Sequence, residues 1–208
     1  MNQELRKLTE KVRSLFTKYG IKSMTMDDIA RELGMSKKTL YQYIKNKDEL
    51  VLSVIKLIEE EHEEFFKEMQ SKKLNAIQSL ICVNKLLHRM FKEYNPSFEF
   101  DMKKYHPEIY HAVKKQAMDK MYNAVLSNIK QGKAEGLYRE NLDDVLIAKL
   151  YASRIKTLNE SDLITLEEKM NPEFKNQIFE YHIRGIANKE GIKQFEESLK
   201  ELNNQNDG

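Results

Sequence analysis

Glycine occurs seven times and proline three times in 208 residues. Such scarcity of helix breakers favours long helices over short strands. No run of β-branched residues alternates with polar ones for long enough to suggest a sheet. Cys82 is the single cysteine, which leaves no cysteine pair for redox chemistry. Set in Leu80-Ile81-Cys82-Val83, it reads as a reduced core thiol of a cytoplasmic protein. The longest uncharged stretch, Leu74 to Asn84, is too short for a bilayer, which needs roughly 20 apolar residues. No membrane partner is expected. The start, Met1-Asn2-Gln3-Glu4-Leu5, lacks a basic region followed by an apolar core, so no secretory signal is expected either. There is no nucleophile elbow and no phosphate loop, so nothing points directly to catalysis.

What is present fits a soluble globular chain, with 40% hydrophobic and 33% charged residues. The length suits one small module plus one core-sized domain. Net charge is only +2, but it is unevenly placed. Residues 1–50 hold 11 Lys/Arg against 7 Asp/Glu, and the remainder holds 24 against 26. Leu33 to Lys47 contains four lysines and no acid. A local basic patch on a nearly neutral chain attracts phosphates without making the whole surface adhesive.

Apolar residues recur at helical spacing along the chain. Leu5, Leu8, Val12, Leu15, Phe16 and Tyr19 form the buried stripe of a first helix, and Gly20 ends it. Thr25 three residues before Asp28 reads as a capping box opening a second helix, which Gly34 closes. Ser36 caps a third helix running to about Ile44. Asn46 with Glu49 opens a long fourth, with Leu50, Val54, Ile58, His62, Phe65, Phe66 and Met69 on one face. A fifth carries Ile77, Leu80, Ile81, Asn84, Leu87, His88 and Phe91. Pro96 interrupts, and a short aromatic segment from Phe98 to Tyr105 follows. Pro107 fits the first turn of a helix reaching Gly132. Leu142 to Leu158 is apolar nearly all round, which predicts burial on two sides. Pro172 opens a helix to about Ala187, and Gly191 separates it from a final one.

Thr25 to Lys47, TMDDIARELGMSKKTLYQYIKNK, decides the reading. A helix-turn-helix needs a small residue where its helices cross, supplied by Ala30. It needs a positive-φ residue in its turn, supplied by Gly34. It also needs an apolar side chain docking the second helix on the first, supplied by Leu40. The pattern from Leu8 to Leu50, ending LGMSKKTLYQYIKNKDEL, resembles the TetR/AcrR family of transcriptional regulators. Tyr181-His182-Ile183-Arg184-Gly185-Ile186 resembles such regulators more weakly. The resemblance implies an all-α protein: an N-terminal three-helix helix-turn-helix domain over 1–47 and a C-terminal helical ligand-binding and dimerisation domain over 48–208. It implies a cytoplasmic homodimer that binds a palindromic double-stranded DNA operator, commonly as a repressor. A small-molecule ligand, an unidentified effector, releases the DNA, and no other cofactor is expected. The long fourth helix would carry that signal.

By the same resemblance the third helix contacts bases. Lys37 and Lys38 suit guanine acceptors and Gln42 suits adenine. Thr39, Tyr41 and Tyr43 suit phosphates. Thr25 and Lys47, each at a helix start, suit phosphates as well. His62, Asn84 and His88 interrupt apolar stripes. They are candidates to line a ligand pocket with Phe66, Met69, Phe91, Phe98, Tyr110, Met121 and Tyr122, although the same residues also describe an ordinary core. Leu146, Leu150, Ile178, Phe179, His182 and Ile186 are candidates for a dimer interface. Two other readings remain open. Glu59-x-x-His62 and Glu108-x-x-His111 match the pairs that build a di-iron carboxylate enzyme in a ferritin-like bundle. A helix-turn-helix that no longer binds DNA is the other.

Overall fold

The computed structural model describes residues 3–92 and 96–206. Among them the chain is helical throughout, with one isolated antiparallel bridge between Tyr138 and Ala187. In order the helices are α1 (Gln3–Tyr19), α2 (Met26–Glu32), α3 (Lys37–Tyr43), α4 (Lys47–Ser71), α5 (Ala76–Lys92) and α6 (Pro96–Tyr105). There follow α7 (Pro107–Ala134), α8 (Asp144–Glu160), α9 (Leu166–Met170), α10 (Pro172–Ile186) and α11 (Lys189–Asn206). None of the described helices is long and apolar enough to cross a membrane.

Packing divides the chain into two compact units, Met1–Glu68 with Tyr94–Lys115 and Met69–Glu93 with Gln116–Gly208. This differs from a division at residue 47. Leu50, Val51, Val54 and Ile55 of α4 and Met102 of α6 share one core with Leu8, Val12 and Phe16 of α1 and Ile29, Ala30 and Leu40 of α2 and α3. The three-helix module therefore closes its apolar underside with the first half of α4 and with α6. Tyr19 departs from the expected stripe: it is exposed, with the Lys18 ammonium 4.8 Å from its ring centroid.

The core of the second unit gathers Ala76, Ile77, Leu80 and Ile81 of α5 around Leu137, Tyr138, Ile183, Ile186 and Phe195. Tyr138 is fully buried and its hydroxyl donates to Asn128 Oδ1 at 2.9 Å, so the burial of a phenol leaves no donor unmet. Cys82 is a free thiol, half-buried.

Three expectations change with this architecture, and one helix was not expected. Pro96 opens α6 at its first position, as Pro107 and Pro172 open α7 and α10, because the missing N–H is an unused one there. The aromatic segment is thus a ten-residue helix. Within the single chain α8 is buried on one side only: Ala148 and Ala152 face inward while Val145, Leu146 and Leu150 are exposed. Gly191 lies inside the first turn of α11, where a Cβ would stand 2.1 Å from the Leu137 carbonyl oxygen. Finally α9 has no counterpart in the sequence reading, although Thr165 and Glu168 form a complete capping box at its start.

Candidate nucleic-acid interface

Caps fix where α2 and α3 begin. The Asp28 N–H donates to Thr25 Oγ1 at 3.1 Å and the Thr25 N–H donates back to Asp28 Oδ2 at 3.1 Å. Ser36 Oγ accepts the Thr39 N–H at 3.0 Å. The turn between them passes through Gly34 at φ +68°, a region costly to side chains, and the Met35 N–H returns to the Ala30 carbonyl at 3.0 Å. Ala30 and Leu40 are both buried, so α3 is held by one leucine against the alanine face of α2. An anchored short helix of this kind leaves its other edge to solvent.

That edge carries the expected residues in different states. Lys37, Lys38, Tyr41 and Gln42 are exposed, and Thr39, Tyr43 and Lys47 are half-buried. Lys37 Nζ is paired with Asp27 Oδ1 at 2.7 Å, and that pairing raises its pKa. The Tyr43 hydroxyl donates to Glu4 Oε2 of α1 at 3.1 Å, so Tyr43 is tied to the first helix while Tyr41 is 42% exposed. The Thr25 hydroxyl donates to Asp28 Oδ2 at 2.6 Å, and Thr39 Oγ1 lies 2.7 Å from Ser36 Oγ. Both threonines are therefore engaged in capping. Lys47 is pushed below the usual lysine range, first by burial and then by the charge of Lys22, with Asp101 and Asp48 opposing. Asp27, Glu4 and Lys22 escape a reading of local sequence, because each meets its partner through the fold.

The ligand candidates are split between the units. His62, Phe66, Phe98 and Tyr110 belong to the first and Met69, Asn84, His88, Met121 and Tyr122 to the second; all nine are half-buried. The side chain of Phe91 lies outside the described residues. The Tyr110 hydroxyl donates to Glu99 Oε1 at 3.0 Å, and the Asn84 amide lies 3.5 Å from Asn176 Oδ1. The second unit carries two surface clefts elsewhere. One of about 470 Å³ is lined by Lys130, Lys133 and residues 140–145. One of about 210 Å³ is lined by Arg154, Leu158, Phe174, Gln177, Ile178 and Tyr181. Among the described residues no three His, Cys, Asp or Glu side chains gather as a metal would need, so the two Glu-x-x-His pairs build no di-iron cage there.

Of the dimer candidates, Leu146 and Leu150 are 52% and 56% exposed, and Ile178 and Phe179 are half-buried. His182 and Ile186 are instead buried within the chain's own core, because their side of α10 packs inward. Exposed Val145 and Tyr181, absent from the sequence-based set, accompany the two leucines on α8 and α10.

Residues 8–54 match the family model described as bacterial regulatory proteins of the tetR family. Over that segment the chain is similar to the TetR family. The matched segment is the helix-turn-helix module with the start of α4. The chain is 27% identical over 127 residues, 59% of its length, to the uncharacterized HTH-type transcriptional regulator YhgD of Bacillus subtilis. It spans between 43% and 63% of the length of the curated relatives that it matches. Among solved structures, a transcriptional regulator from Cytophaga hutchinsonii superposes with a TM-score of 0.70 at 19% identity, covering 90% of this chain and all 100% of that one. AibR, solved in complex with isovaleryl coenzyme A and operator DNA, gives 0.54 at 16% identity, with 85% and 96% covered. At these identities the likeness is one of fold, and it extends beyond the module to the C-terminal helices.

Proposed function

We propose that this chain is a cytoplasmic DNA-binding transcriptional regulator of the TetR family. It acts as a homodimer on a palindromic operator, represses, and is released by a small-molecule ligand. The observation that carries the reading is the exposed edge of α3, where Lys38, Gln42 and Tyr41 stand free on a helix fixed by a cap and one buried leucine. Lysine and glutamine at the surface of a helix of this size suit the donor and acceptor pattern of a major groove. Lys47 suits a phosphate, since a half-buried ammonium beside Lys22 gains more from an anion than a solvated one does. The ligand is supported by likeness of fold: AibR was solved with operator DNA and isovaleryl coenzyme A together. The exposed leucines of α8 supply a face for a second copy.

Fluorescence anisotropy on duplex DNA from the region upstream of the chain's own gene tests this directly. The wild-type chain is expected to bind with a preference over scrambled duplex. Gln42→Ala is expected to change the ranking of base-substituted duplexes. Lys47→Ala is expected to weaken all of them alike and to lower the salt slope by roughly 1. If neither substitution alters DNA affinity, α3 is not the reading helix.

A further inference from the structure

The first unit carries a second group of cations, away from α3. Lys22 lies in the turn between α1 and α2, where its backbone N–H donates to Asp101 Oδ2 at 2.8 Å. Asp101, in α6, is 8% exposed, so this bond fastens the turn to α6. The Lys22 ammonium stands 4.6 Å from the Tyr105 ring centroid. The Lys104 ammonium stands 5.4 Å from the same ring and 5.4 Å from that of Phe100. One tyrosine thus carries two lysines, and both rings are open to solvent, Phe100 at 58% and Tyr105 at 39%. Lys22 also acts on Lys47, which joins the group from the start of α4.

Like charges gathered in this way repel one another unless an anion sits among them. Two carboxylates face the group, and both are engaged: Asp101 with the Lys22 backbone, and Asp48 Oδ1 with His106 Nδ1 at 2.7 Å. Among the described residues neither Lys22, Lys47 nor Lys104 has an ion-pair partner. Held against aromatic faces, the lysines lose less freedom on meeting an anion than solvated side chains lose.

We propose that Lys22 and Lys104, both held on the Tyr105 ring, form a second phosphate-binding surface of the first unit, and that its occupant is the backbone of the same duplex DNA that α3 reads. The inference rests on the DNA-binding reading above. Continuity argues for DNA as the occupant. Lys47 is assigned a phosphate in the reading above and feels the charge of Lys22, and Lys22 lies three residues before the cap of α2. Lysine without a planar fork supplies charge and no base selection, so the surface adds affinity and not specificity.

The test is a salt titration of duplex affinity, with the upstream duplex as probe, on wild-type chain and the double variant Lys22→Ala/Lys104→Ala. The variant's slope of log affinity against log salt is expected to fall by roughly 0.9 for each phosphate that the lysines no longer neutralise. The ranking of base-substituted duplexes is expected to stay as in the wild type. Lys22→Arg/Lys104→Arg is expected to restore the slope, which a merely structural role for these side chains does not predict. Circular dichroism and the unfolding midpoint report that each variant is folded. A double variant with the wild-type slope overturns this inference while leaving the α3 reading intact. A wild-type chain that binds no duplex overturns both.

Discussion

At the scale of single residues, the fold has already given some candidate DNA-binding side chains a partner. Lys37 is bound to Asp27, both of them largely exposed. A phosphate must compete with that carboxylate, and Asp27 also repels the duplex on its own account. Asp27→Ala is therefore expected to raise affinity for duplex DNA a few-fold at low salt, with the gain fading as salt screens the charges. Anisotropy titrations at two ionic strengths measure it; weaker binding by the variant at low salt would mean that Lys37 needs its acid to be placed. Glycines give a second contrast. A Cβ at Gly132 would sit 2.2 Å from the ring of Tyr138, which is buried and cannot retreat. At Gly185, also helical, nothing lies within 4 Å. Alanine gains up to about 1 kcal/mol of helix propensity at either site, but overpacking costs about 1–3 kcal/mol at the first alone. Gly132→Ala is expected to lower the urea midpoint and Gly185→Ala to hold or raise it. Equal shifts in one direction would refute the crowding argument.

At the scale of elements, the sequence exposed whatever is local. Capping boxes, the Gly20 and Gly34 turns and the 3.6-residue stripes marked the end of α1, both ends of α2 and α3 and the start of α4, and the helix-turn-helix could be read because Ala30, Gly34 and Leu40 sit at fixed offsets within one short segment. What depended on distant partners was hidden. The inward side of α10 is one case: His182 occupies a stripe that looked available to a partner, yet it is buried with its ring centroid 4.5 Å from that of Tyr151. Burial, and after it the charge of Arg154, push its pKa from 6.5 down to about 3. The folded chain thus keeps a neutral imidazole where the unfolded chain takes a proton. Stability from this source is intact above pH 6.5 and falls as pH drops from 6.5 towards about 3, by up to about 1.4 kcal/mol per pH unit. His182→Leu is expected to flatten the profile of unfolding free energy across that window by about one proton. Urea unfolding at a series of pH values compares the two slopes, and parallel profiles would place the imidazole in a wetter setting than this packing allows.

At the scale of the whole molecule, the proposed regulator needs two copies of α3, and the face that would join them has to be apolar, exposed and on rigid helices. Leu146 and Leu150 on α8 and Tyr181 on α10 meet those conditions, with Tyr181 75% exposed. In a two-fold interface each residue counts twice, so one charge introduced on each copy places two unpaired charges in the joint. Leu150→Glu is expected to shift the species in solution from a dimer to a single 24.6 kDa chain, read by sedimentation or by light scattering on a sizing column. Because Leu150 has little burial of its own to lose, the helical signal and the cooperativity of unfolding are expected to persist. Leu163, 93% exposed outside both helices, serves as control: Leu163→Glu is expected to leave the mass unchanged. DNA affinity is expected to fall with the mass, since a monomer offers one recognition helix where the proposed palindromic operator would present two half-sites about 34–36 Å apart. A Leu150→Glu chain that keeps the dimer mass moves the interface off α8. A wild-type chain that sediments as a monomer at the concentrations where it binds DNA removes the need for the interface altogether.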